Sequence, residues 1–292
     1  MSIRSDMIRA AARAKTHLRD SVSAAVEYLR SHQNPDGGFR DRAGSSDLYY
    51  TVFGIEGLVA LGGTFDRAAA REYLQNFGEG ETLDYIHLAC LIRAWADLGD
   101  EPLDPTVCQG LLRNLLTYRS EDGGFSDCLG AEHGTAYGCF LALAACQDLA
   151  HSLSEAEQFV ESVSRLRRDD GSYANDAHSP DGSTPATAAA LVTLHQMGIG
   201  NFQPQVAWLL KRTKAIGGFI ATARAPMQDL LSTATALHAL ATVRADYDAV
   251  KRSCLEFVDS LWEPLGGFCG NWMDETVDCE YTFYGLLALG NL

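Results

Sequence analysis

Apolar positions along this chain follow two alternating patterns. In the first, Val22, Ala25, Val26 and Leu29 form one stripe, with Glu27 and Arg30 on the other side. That spacing predicts an amphipathic helix with one wet face, an outer helix. In the second, the run from Tyr137 to Ala145 is apolar almost all round, and a helix without a wet face belongs inside. A short loop with a glycine pair and an aromatic stands between the two patterns. Asp36-Gly37-Gly38-Phe39 returns as Asp122-Gly123-Gly124-Phe125, then more weakly as Asp170-Gly171-Ser172-Tyr173, Gly217-Gly218-Phe219 and Gly266-Gly267-Phe268. The glycines permit a turn with positive φ, and the aromatic plugs the core beneath it. Thr51, Thr135, Thr187, Thr233 and Thr282 each follow one of these loops and open an apolar run. A further copy, around His87-Leu88-Ala89-Cys90-Leu91, lacks the glycine pair. Ser154 followed by Glu157 reads as a capping box for the fourth outer helix.

Repetition of this kind makes one continuous body. Six outer and six inner helices that close on themselves predict an all-α fold, an α/α toroid (α6-α6 barrel). It would span residues 1–292 as one domain, with 1–19 as an N-terminal helical extension. An open solenoid is the competing architecture. Against it, the last run, Thr282 to Leu289, has no polar capping face.

Composition changes this picture little. At 47% hydrophobic and with only eight Pro, the 292-residue chain has core enough for one body and no linker. The net charge of -15 repels phosphate backbones and argues against nucleic-acid partners. The absence of an apolar run of membrane length argues against a membrane span. Arg4, Arg9 and Arg13 interrupt the first residues, so no secretory leader is expected and a cytoplasmic location is. Eight Cys occur without a CxxC pair; Cys90, Cys139 and Cys146 read as buried apolar side chains in a reducing compartment.

If the inner helices run parallel, their N-termini converge on one end of an apolar cavity. Asp47, Tyr49 and Tyr50, then Asp84, Tyr85 and His87, then Glu132 and His133 fall just before or at these starts. Asp181, Ser183, Asp229, Ser232, Asp278, Cys279, Glu280 and Tyr281 follow in the second half. Helix N-termini favour anions, yet carboxylates crowd this rim, and the commonest role of Asp there is to cap the helix. Cys128, Cys269 and Cys279 lie near the same end as thiol candidates for a metal of no familiar spacing.

The repeated loops, together with Glu132-His133-Gly134 leading into Cys139-Phe140-Leu141-Ala142, resemble the terpene cyclases and the β subunits of protein prenyltransferases. The resemblance spans about Ser21 to Leu292. It implies an isoprenoid-processing enzyme with a prenyl or terpenoid chain in the cavity, with His133 where the prenyltransferase histidine meets diphosphate. It also implies a zinc or magnesium cofactor, and a separate helical-repeat α subunit as partner. Of the zinc triad only Asp229 is matched; Leu231 stands for the thiolate and Tyr281 for the histidine, so which metal binds, if any, stays open. Terpene cyclases of class II resemble the chain through Asp-x-Asp-Asp-Thr, to which Asp278-Cys279-Glu280-Tyr281-Thr282 is the nearest match. Glu280 is then the candidate acid and Asp278 its partner, with Asp229 and His133 at the same rim. Tyr49, Tyr50, Tyr85, His87, Tyr137 and Tyr281 are the candidate substrate contacts.

Two other classes remain open. A module that keeps the cavity and binds a lipid without turnover fits the incomplete motifs. A subunit or scaffold would present an apolar strip on its outer helices, around Trp208 or Trp262, unless these pack inward.

Overall fold

The computed structural model describes residues 2–99 and 102–292. Two short helices lead, α1 (Ile3–Ala12) and α2 (Lys15–Leu18), and outer and inner helices then alternate. In chain order they are α3 (Val22–Ser31) and α4 (Leu48–Leu61), α5 (Arg67–Gln75) and α6 (Tyr85–Leu98), α7 (Pro105–Leu116) and α8 (Ala136–Asp148). The second half adds α9 (Ala156–Arg165) and α10 (Thr184–Gln196), α11 (Gln203–Leu210) and α12 (Leu230–Thr242), α13 (Asp248–Asp259) and α14 (Cys279–Leu289). Each inner helix packs against the next, and α14 packs against both α12 and α4. The ring is closed, so the toroid and not the open solenoid is the architecture.

The glycine loops explain how the ring closes. Gly37 has φ +95°, and a Cβ there would collide with the Ala69 carbonyl of α5. Gly266, at φ +108°, lies in the same way against the Ala24 carbonyl of α3. The first loop therefore docks on the second outer helix, and the last docks on the first. Only glycine satisfies both the left-handed backbone and the contact.

The aromatics after the loops, Phe39, Phe125, Tyr173, Phe219 and Phe268, are all buried. Each backbone N–H is held by a side chain of the inner helix that follows. Thr51, Thr187 and Thr233 accept it at 2.9 Å, and Thr282 at 3.3 Å. In the third repeat the acceptor is Cys139 Sγ, at 3.3 Å. The register expected from Thr135 is thereby corrected: Thr135 caps α8, its hydroxyl accepting from the Gly138 N–H. The other inner helices are capped alike by Asp47, Asp84, Ser183, Asp229 and Asp278, all on extended backbone. The Ser154–Glu157 capping box does not form. Glu155 starts α9 in the left-handed region without a side-chain cap, and Ser154 Oγ instead accepts from Arg119.

Short strands decorate the rim. β1 (Phe39–Arg40) pairs with β2 (Ser46–Asp47), and β3 (Trp262–Glu263), β4 (Gly267–Asn271) and β5 (Asp274–Val277) make an antiparallel sheet in that order. Trp208 is buried and donates to Asp170 at 2.8 Å, while Trp262 packs edge-on to Phe268. Both tryptophans thus pack inward.

The leading helix does more than extend the chain. α1 lies across the C-terminal ends of the inner helices, where Arg13 donates to the Gly290 carbonyl and Ile3 N–H to Gln147. Arg4 reaches Asp97 at 2.7 Å and Asp148 at 2.9 Å. Ile3, Met7, Ala10 and Ala11 are buried, so α1 closes the barrel opposite the capped mouth. No helix among the described residues is long and apolar enough to cross a membrane.

Candidate active site

The six caps set a common zero from which the barrel's interior can be read in layers. Two residues beyond each cap come Tyr49, Ile86, Tyr137, Pro185, Leu231 and Glu280. Six residues beyond come Phe53, Cys90, Leu141, Ala189, Thr235 and Tyr284. At nine residues come Glu56, Arg93, Ala144, Val192, His238 and Leu287, about 13 Å below the caps at the helical rise. A cavity of about 370 Å³ occupies this interior, walled by members of all three layers and floored by Met7 of α1. Its size falls in the range of small-molecule sites. The wall is chiefly apolar and aromatic, with Tyr49, Phe53, Tyr137 and Tyr284 among its members.

Glu280 belongs to the mouth layer and adjoins the cavity wall through Tyr49 without itself lining it. Its Oε1 accepts the Tyr49 hydroxyl at 2.7 Å, which ties α14 to α4; Oε2 has no protein partner among the described residues. Burial pushes the Glu280 carboxyl up from its ordinary value, and the nearby Asp278 charge adds to this, against the Tyr49 hydrogen bond and Arg42. Asp278 is committed elsewhere. Its Oδ1 accepts from the Tyr281 N–H at 2.7 Å and its Oδ2 from Arg42 Nε at 2.8 Å. Burial raises it also, opposed by those same bonds. Arg42 further binds Asp274 at 3.1 Å and lies over the Tyr281 ring. One guanidinium thus joins the first repeat's loop to the last.

The remaining sequence candidates divide. Tyr50, half-buried, joins the Arg42–Asp278 group at the rim. His87 bridges two caps, with Nδ1 2.8 Å from Asp84 and Nε2 3.2 Å from Asp47. Burial opposes its charge, but the two carboxylates outweigh this and raise its pKa. Asp229 caps α12 through the Ser232 N–H at 2.7 Å, and burial raises it. Tyr85 is buried in the wall, its hydroxyl donating to the Gly138 carbonyl, and does not line the cavity. His133 sits beside Asp122, 3.5 Å away, in the third repeat's loop and outside the cavity wall. Cys279 begins α14 and Cys269 lies in β4, and both are buried with thiols pushed up by burial. Among the described residues no group of three or more His, Cys, Asp or Glu is placed to hold a metal ion.

Arg93 and His238 are among the polar wall residues that escaped the sequence reading. Arg93 is bound side-on through Nε and Nη2 by Glu56, itself wholly buried, and lies over the Phe53 ring. The signal was an Arg or His set among apolar residues in the middle of an inner helix.

The family model for the prenyltransferase alpha-alpha toroid domain matches residues 17–220 and 207–290. The chain belongs to that family. Among solved structures, this toroid is similar to the type II terpene cyclase MstE from Scytonema in complex with merosterolic acid A. The two share 17% identity over 95% of this chain and 96% of that one, with a TM-score of 0.66. It is also similar to the Candida albicans protein geranylgeranyltransferase-I complexed with GGPP, at 12% identity over 91% and 89%, TM-score 0.70. MstE has been solved with geranylgeranyl dihydroxybenzoate as substrate too, at TM-score 0.66 and 15% identity over 95% of this chain and 97% of that one. At such identities these likenesses establish the fold. Leu231 is part of the cavity wall.

Proposed function

We propose that this toroid binds an isoprenoid chain in its central cavity and that Glu280 protonates an alkene at the mouth to start cyclisation. The observation that carries this reading is Glu280 itself: a carboxyl raised by burial, held on one oxygen by Tyr49, with its other oxygen unpartnered among the described residues. Burial favours the protonated form of the carboxyl, and that form has a proton to give. In the step, the Oε2–H bond breaks and a C–H bond forms at the less substituted alkene carbon, leaving a tertiary cation and the Glu280 carboxylate. The faces of Tyr49, Phe53, Tyr137 and Tyr284 offer π density along the path of that cation. Loss of a proton from the cyclised cation then completes the reaction, and the acid is recharged from solvent at the mouth.

The neighbours named above, solved with a merosterolic acid, a geranylgeranyl aromatic and GGPP, support an isoprenoid as the ligand class. Lipid binding without turnover is the second reading, favoured by one observation: Asp278 is tied to Arg42 and to its own helix. Product analysis after incubation with polyprenes and geranylgeranyl aromatics, wild type against Glu280→Gln, separates the two. New cyclic products that vanish in the variant support the enzyme; bound but unchanged ligand in both supports the module.

A further inference from the structure

Arg93 on α6 and His238 on α12 each lie nine residues beyond their caps, Asp84 and Asp229, and both line the cavity. In a closed ring of six, α6 and α12 stand opposite one another, so these side chains share one level at the closed end. There the apolar wall breaks. His238 is 7% exposed, Nδ1 is buried without a hydrogen-bond partner, and neither ring nitrogen has one among the described residues. Thr235 and Asn175, also in the wall, have partners: Thr235 donates to the Leu231 carbonyl at 2.8 Å, and Asn175 accepts from the Tyr137 N–H at 3.1 Å. A buried polar group left unmade costs stability, and where it lines a cavity it points to a ligand that makes the bond.

We propose that the closed end recognises an uncharged oxygen on the far terminus of the ligand, a hydroxyl or carbonyl held by His238 and Arg93. This rests on the isoprenoid reading above and narrows it to chains oxygenated at the inner end. Charge balance selects the uncharged group. Glu56 already neutralises Arg93. Burial holds the His238 imidazole neutral, its pKa pushed down to about 4, while Asp6 and Arg13 act on it in opposite senses. A carboxylate or phosphate would therefore be buried without a free counter-charge, at considerable cost. A hydroxyl or carbonyl meets the imidazole N–H or ring nitrogen, and Arg93 Nη1, at no such cost.

The test compares two C15 probes of the same skeleton, farnesol and the hydrocarbon β-farnesene, by equilibrium dialysis of labelled ligand. Wild type binds farnesol at least about fivefold more tightly, the worth of one buried hydrogen bond. In His238→Phe, which keeps the ring shape, the two bind within about twofold of each other. In wild-type protein labelled at histidine with nitrogen-15, the His238 ring resonances move with farnesol and not with β-farnesene, a readout independent of the variant's folding. Equal binding of both probes by wild type, a farnesol preference that survives His238→Phe, or unmoved resonances overturn the closed-end site and leave the isoprenoid cavity standing. Failure of both probes to bind wild type overturns both readings.

Discussion

Tyr49 donates its hydroxyl to Glu280 across 2.7 Å and so links the first inner helix to the last at the cavity mouth. The bond favours the carboxylate over the acid. Removing it in Tyr49→Phe should raise the Glu280 pKa further, by about 0.5–1 unit for one hydrogen bond. Because the acid form is the active one, activity falls as pH rises through that pKa. The alkaline limb of the kcat/KM profile should therefore move upward in Tyr49→Phe. A limb that stays put or moves down contradicts the assigned role.

Gly37 and Gly44 share φ +95°, but only Gly37 faces the Ala69 carbonyl; nothing lies within 4 Å of a Cβ on Gly44. Gly37→Ala should cost at least about 2 kcal/mol more than Gly44→Ala, the difference being the steric part alone. Chemical denaturation of the two variants measures this. Equal costs would mean that the loop–helix contact does not hold the ring.

Glu56 is wholly buried against Arg93. Glu56→Gln should destabilise by about 3–5 kcal/mol by leaving a buried cation uncompensated. Glu56→Gln with Arg93→Met should recover much of the loss, since an apolar replacement of both charges is often neutral. Urea midpoints of the single and double variants check it.

The pairs that Arg4 makes beneath the barrel carry a pH signature. Burial lifts Asp148 from an ordinary 3.8 to about 6, against the pull of Arg4. Between those values the folded state holds the proton more tightly than the unfolded chain, so this group's contribution falls as pH rises. Relative to wild type, Asp148→Asn should gain about 1–3 kcal/mol between pH 4 and pH 7. Denaturation midpoints at the two pH values test the sign; a relative loss would show that Asp148 is ionised and well paired.

The fold was legible because its determinants are local. Gly-Gly-aromatic loops and the contrast between Val22–Leu29 and Tyr137–Ala145 lie in consecutive residues. The register slipped at Thr135 because Cys139, a weak hydrogen-bond acceptor, stands where four other repeats have threonine. Glu280 was readable from its motif, but its partner was not, since Tyr49 lies 231 residues away. Likewise no local pattern assigns Arg42 to Asp278, or places α1 under the barrel, because both depend on ring closure. Arg93 and His238 share a level across the ring, which no local pattern reveals because it too depends on ring closure.

The central claim is that Glu280 delivers a proton to an isoprenoid alkene. Its most direct test is incubation of the wild-type protein in heavy water with geranylgeranyl dihydroxybenzoate, the substrate named for a structural neighbour, and with unsubstituted polyprenes. The account predicts a cyclic product carrying one deuterium at the initiating carbon, absent with Glu280→Gln. Cyclic product formed equally well by Glu280→Gln would contradict it, as would product without deuterium.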